Sequence, residues 1–104
     1  MLGELDVQVR GDAESTTVTV AGEIDLSTST RLNRELDAVL DGSPARLRID
    51  LSDVPFMDTT GVAVLLKARR RALEQDCRFA VSSASPALTR LFEITGLAGL
   101  LADD

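Results

Sequence analysis

Residues 46–73, RLRIDLSDVPFMDTTGVAVLLKARRRAL, constrain this chain more than any other stretch. They begin with strict alternation: Leu47, Ile49 and Leu51 fall on one side, Arg46, Arg48 and Asp50 on the other. A period of two marks a strand with one buried face. They end with Val62, Leu65, Leu66 and Leu73 at the spacing of one helical face, the basic residues mostly filling the rest. Between the two patterns lies a polar hinge, Asp58-Thr59-Thr60-Gly61. Passing from strand to helix through such a hinge leaves orphan backbone N–H groups and hydroxyls at the helix N-terminus. The function is expected there.

The flanking segments complete an α/β pattern. Leu5, Val7 and Val9 alternate with polar residues, and Thr16 to Ala21 repeats the pattern with Val18 and Val20 inward. The short loop between them, containing Gly11 and Asp12, predicts a hairpin. Leu32, Leu36, Val39 and Leu40 then share a helical face, with Ser27 or Thr28 expected as N-cap, Gly42 in the left-handed C-terminal position and Pro44 at the exit. After the central strand, hinge and helix, Arg78 to Ser82 reads as a short strand carrying Phe79 and Val81. Ser85-Pro86 starts a third helix with Leu88, Leu91 and Phe92 inward, Gly96 stops it, and Leu97 to Leu101 allows one more turn.

The order β-β-α-β-α-β-α implies βαβ units with parallel pairing. The expected fold is α/β: a small mixed, mostly parallel four-stranded sheet with helices packed mainly on one face. The first strand should be antiparallel at an edge, and residues 1–104 should form a single domain.

Composition narrows the chemistry. The formal charge of −6 argues against nucleic acid. The basic cluster Lys67, Arg69, Arg70 and Arg71 reads as a solvated helix face rather than a binding patch. Without any His there is no imidazole base or metal ligand, and no cofactor is expected. Cys77, the only cysteine, reads as a small core or edge residue. The carboxylate pairs Glu23 with Asp25 and Asp50 with Asp53 have no nucleophile beside them and read as caps or solvated loop residues. No enzyme is expected. No apolar run approaches the ~20 residues of a membrane span, and no basic region precedes an apolar block at the N-terminus. A cytoplasmic protein without membrane contact, monomeric when free, is the expectation.

The stretch from Asp50 to Leu66, with DVPFMDTTG at its centre, resembles the signature of STAS domains, specifically the bacterial anti-sigma factor antagonists. Gly22-Glu23-Ile24-Asp25-Leu26-Ser27 resembles the family's second recurrent segment, and the likeness runs from about Leu5 to Leu101. The resemblance implies partner switching: an antagonist binds an anti-sigma factor that is also a serine/threonine kinase and thereby frees a sigma factor. The kinase then phosphorylates the first hydroxyl residue after the Asp, which weakens the complex until a phosphatase restores it. Carried over, the acceptor is Thr59, with Asp58, Thr60 and Gly61 shaping its loop and Asp25 touching the kinase.

On this reading, removing Asp25 should leave stability nearly unchanged, and a phosphate on Thr59 should sit among orphan N–H groups. Gly61 should admit a partner's backbone. The usual acceptor in the family is Ser, so the extra methyl of Thr59 should slow a Ser-adapted kinase. The alternative is an adaptor subunit of a transporter or stress-sensing complex, never phosphorylated.

Overall fold

Two alternating segments and a tight turn build the first edge of the sheet. In the computed structural model, which describes residues 4–101, β1 (Asp6–Gly11) and β2 (Ser15–Ala21) pair antiparallel, with Val7 opposite Val20 and Val9 opposite Val18. β3 (Arg46–Asp53) lies parallel to β2, and β4 (Arg78–Ala84) parallel to β3, so the sheet order is β1-β2-β3-β4. The connections carry α1 (Leu26–Asp41) and α2 (Thr59–Glu74); α3 (Pro86–Ile94) and a 3₁₀ turn (Ala98–Leu100) follow β4. This is the expected order, with β1 at an edge.

The core forms where the alternation placed it. Val18 and Val20 of β2, Leu47, Ile49 and Leu51 of β3 and Val81 of β4 are fully buried. Leu32, Leu36 and Leu40 of α1, Leu65 of α2 and Leu88 and Phe92 of α3 are buried with them. On the opposite face Thr17, Thr19, Arg46, Arg48 and Asp50 stay half-exposed. The sheet therefore has a covered face and an open one, as an alternating strand requires. Cys77 is buried, and burial pushes its thiol pKa up, which fits a small core residue.

Several local expectations are corrected. The buried stripe of α2 runs through Gly61, Leu65, Ala68 and Ala72, while Leu73 is exposed. Small residues on this stripe disguise it, because alanine adds little to a hydrophobic period. Gly42 is not left-handed (φ −83°); Ser43 takes that conformation at φ 52°. β4 runs on to Ala84, past a register shift against β3 at Ile49 and Asp50 that alternation does not reveal. The basic cluster is partly spent inside the fold. Arg71 spans to Asp37 and Asp41 of α1, and Gln75 Nε2 donates to the Leu40 carbonyl at 2.9 Å, tying the C-terminal ends of α1 and α2 together. Among the described residues, no helix is long and apolar enough to cross a membrane.

Candidate functional site

The hinge is half of a paired structure. The chain leaving β2 and the chain leaving β3 run side by side: Gly22 N–H donates to the Asp53 carbonyl at 3.1 Å, Ile24 N–H to Phe56 at 3.0 Å, and Asp58 N–H to Ile24 at 3.0 Å. Ile24 and Met57 thus form a single parallel bridge beyond the strand ends. Each is followed by an aspartate that begins a helix. Asp25 and Asp58, far apart in sequence, are brought close together by these backbone hydrogen bonds.

Both aspartates are N-caps. Asp25 Oδ1 accepts from the N–H groups of Ser27 at 2.9 Å and Thr28 at 3.1 Å. In return Thr28 Oγ1 accepts from Asp25 N–H at 2.9 Å, completing a capping box. The expected caps, Ser27 and Thr28, are therefore the capped residues. A carboxylate wins this place because it accepts two N–H groups at once and complements the positive end of the helix. Asp58 Oδ1 likewise accepts from Thr60 N–H at 2.9 Å and Gly61 N–H at 3.3 Å, and from the Thr60 hydroxyl.

These bonds set the charge state. The Thr60 hydroxyl first, then the Gly61 and Thr60 N–H groups, hold the Asp58 carboxyl below its ordinary value, against desolvation and the like charge of Asp25. The Ser27 hydroxyl does most of the same for Asp25, helped by the Thr28 and Ser27 N–H groups. Both carboxylates are ionised at neutral pH.

The two hinge threonines differ. Thr60 is half-buried, and its hydroxyl is committed to Asp58. Thr59, the first residue of α2, is exposed, and its hydroxyl bonds to nothing among the described residues. Gly61 is buried, and a Cβ there would lie 2.6 Å from Ile24 Cγ2 and 2.7 Å from Met57 Cγ. The space its missing side chain provides is thus taken up inside the protein, not offered to a partner's backbone. The orphan N–H groups expected around a phosphate are largely filled by Asp58, so the turn is not an empty anion cradle. Leu26, 75% exposed, and Phe56, 49% exposed, flank the capped starts. The sequence reading missed both, although an apolar residue immediately after Asp25 and outside the helical stripe was a usable signal.

Comparison with known proteins decides the family. The family model described as "Mlab, STAS domain" matches residues 7–102. An anti-sigma-B factor antagonist of Listeria monocytogenes is 34% identical over 90 residues, covering 86% of this chain and 79% of that protein. The chain belongs to the STAS-domain anti-sigma factor antagonists. The Bacillus subtilis anti-sigma-B factor antagonist is 33% identical over 97 residues, covering 93% of this STAS domain and 88% of its relative. The crystal structure of an anti-sigma factor antagonist from Mycobacterium paratuberculosis superposes with a TM-score of 0.84 at 32% identity, over 94% of this chain and 83% of that one. The unphosphorylated form of SpoIIAA shares the fold, with a TM-score of 0.80 at 21% identity over 95% and 88% of the two chains. The family is a regulatory, non-enzymatic class.

Proposed function

We propose that this STAS domain binds an anti-sigma factor that is also a serine/threonine kinase, through the paired helix starts, and that phosphorylation of Thr59 weakens the complex. The relatives are named anti-sigma factor antagonists, which supports an anti-sigma factor as partner. One observation carries the choice of residue: Thr59 presents an exposed, uncommitted hydroxyl, whereas that of Thr60 is bound to Asp58. In the reaction Thr59 Oγ1 attacks the γ-phosphorus of ATP, the β–γ bridging bond breaks, ADP leaves, and the hydroxyl proton passes to a base of the kinase. The product adds about −1.5 to −2 charges at neutral pH. Beside two ionised caps and their occupied N–H groups, that charge acts on the surface a partner meets. Asp25, Asp58, Leu26 and Phe56 frame this surface. A phosphatase reverses the change, and the exchange takes place in the cytoplasm, where sigma factors act.

Incubation with the kinase and ATP, followed by peptide mass spectrometry, tests this. One phosphate on Thr59 and none on Thr60 is expected. Thr59→Ala should block labelling yet still bind the anti-sigma factor, because the cap is Asp58 and an exposed N1 substitution costs within about 0.5 kcal/mol. Thr59→Glu should weaken binding, and Thr59→Ser should be labelled faster. Tight binding with no phosphate on either threonine would overturn the switch and favour an unregulated adaptor.

A further inference from the structure

We propose that a second copy of this chain pairs with the free edge of β1, antiparallel about Gln8, so that two four-stranded sheets become one continuous sheet. Among the described residues, the β4 edge is partly covered by Leu101, which bridges Val81 in parallel, whereas β1 has a strand on one side only. All of β1 except Val7 is exposed, Val9 at 47%. The strand register says which backbone groups are free. Asp12 N–H donates to the Ser15 carbonyl at 3.1 Å, in the register that also pairs Arg10 with Thr17 and Gln8 with Thr19. Antiparallel ladders alternate, so the amides of Gln8 and Arg10 face β2 while those of Val7 and Val9 face outward. At the N-terminal end the edge closes, because Arg31 Nη1 donates to the Leu5 carbonyl at 2.5 Å. At the other end the strand stops at Gly11, where a φ of 116° begins the hairpin turn. The open length is therefore Asp6 to Arg10, centred on Gln8.

That stretch, Asp-Val-Gln-Val-Arg, is complementary to itself when reversed. Paired about Gln8, Val7 lies opposite Val9 of the copy, and the two exchange both main-chain hydrogen bonds. Asp6 lies opposite Arg10 of the copy at either end, in non-hydrogen-bonded positions where Cα atoms approach to about 4.5 Å. Among the described residues, Arg10 is held only by Gln8 Oε1 at 3.3 Å and Asp6 only by Gln8 Nε2 at 3.5 Å, both at the exposed surface. A guanidinium keeps further donors and a carboxylate further lone pairs, so both retain room for the opposite charge. On the other face, Val7 and Val9 are the cross-strand partners of the buried Val20 and Val18. The copy's valines extend that covered face and remove Val9 from water.

Other registers lose one of these features. A slip of one residue sets outward amides against inward ones. A slip of two toward the hairpin sets Asp6 against Asp12, and toward the N-terminus it needs the Leu5 carbonyl that Arg31 already holds. A parallel copy in register sets Asp6 beside Asp6 and Arg10 beside Arg10. The same charges discourage an unrelated strand, so the edge selects its own sequence. The two-fold axis stands perpendicular to the sheet. The helices of both copies then lie on one side, and their paired helix starts point to opposite ends, each open to a partner. The paired stretch is short against the about 20–30 residues a side of a stable interface, so the chain is monomeric when dilute and pairs when concentrated. The proposal uses no residue of the paired helix starts and is independent of the Thr59 reading.

The experiment is an amide NMR series on the full chain from about 0.02 to 1 mM, beside sedimentation at the same concentrations. Shifts that grow with concentration are expected at Val7 and Val9, with hydrogen exchange of those two amides slowed several-fold. The Gln8 and Arg10 amides, already bonded to β2, should exchange at one rate throughout. The sedimented mass should rise toward two copies. Asp6→Arg or Arg10→Asp alone turns both charge pairs into like-charge pairs and should weaken association about tenfold or more. Both positions are exposed, so spectra elsewhere should stay native. An equal mixture of the two variants sets opposite charges across both ends again and should associate as the native chain does. No concentration dependence, native association by either variant alone, no rescue in the mixture, or shifts centred on Leu26, Phe56 or β4 would each overturn the proposal.

Discussion

Gly61→Ala tests the architecture of the site most sharply, because propensity and packing predict opposite signs. Gly61 lies in the first turn of α2 without a positive φ, so alanine there should gain up to about 1 kcal/mol of helix propensity. The new methyl, however, would lie 2.6 Å from Ile24 Cγ2 and 2.7 Å from Met57 Cγ. Neither atom is the free end of a flexible chain: Ile24 is β-branched and fully buried, and Met57 Cγ lies mid-chain in a residue only 4% exposed. Overpacking of this kind costs about 1–3 kcal/mol, and two such contacts argue for the upper half. The net expectation is a loss of about 1–2 kcal/mol. In urea, with a slope of about 2 kcal/mol/M, the midpoint should fall by roughly 0.5–1 M at constant slope. Combining the change with Ile24→Ala, which removes one clashing methyl, should show a favourable coupling of about 1 kcal/mol. An unchanged or raised midpoint for Gly61→Ala, or strict additivity in the cycle, would refute the close approach of the two helix starts.

Asp25→Ala, first expected to leave stability alone, should lower Tm by about 4–8 °C, the shift typical of losing one cap in a domain this size, while Asp25→Asn should keep most of it. Both caps are held below the ordinary carboxylate value of 3.8, so their contribution is fully present above it and is lost as pH falls through the folded values. Urea midpoints measured from pH 6 down to about 2 should therefore fall less steeply for Asp25→Asn/Asp58→Asn than for the native chain. Ile49→Ala should cost about 2–4 kcal/mol by opening a cavity between sheet and helices, again read from the urea midpoint. In hydrogen exchange the slowest amides should lie in residues 47–51, the centre of the sheet.

The strands were legible because the open face forces alternation: Leu47, Ile49 and Leu51 against Arg46, Arg48 and Asp50 admits only one register of burial. α3 was legible because Ser85 and Pro86 mark its start chemically, and Ser85 Oγ does accept from Leu88 N–H at 3.3 Å. The α2 stripe was only half legible, since Gly61, Ala68 and Ala72 carry almost no hydrophobic signal. The α1 cap was misassigned for a different reason. A local rule allows Asp, Ser or Thr as N-cap, and the choice of Asp25 depends on Ile24 being pinned to Phe56 and Asp58 by backbone bonds. That contact spans more than thirty residues, and no local pattern encodes it. For the same reason the sequence could nominate Asp25, Asp58, Thr59, Thr60 and Gly61 but could not divide their labour.

Under the proposed switch, that division would let one turn be both rigid and modifiable. Had the Thr59 hydroxyl been the cap, a phosphate there would have removed a bond that starts α2, and switching would have loosened the fold. Asp58 takes that duty and uses the Thr60 hydroxyl and the Thr60 and Gly61 N–H groups to do so. Gly61 lets the turn sit directly against Ile24, and Ile24 carries the second cap, Asp25. Every polar group whose loss would disturb either helix start is thereby engaged, and the hydroxyl left over is that of Thr59. In the proposed switch, a kinase acting on Thr59 would change the charge of the surface and leave the caps intact. Thr59→Glu should then keep the native urea midpoint to within about 0.5 kcal/mol while weakening the complex. A large loss of stability in that variant would show that Thr59 is itself part of the helix start.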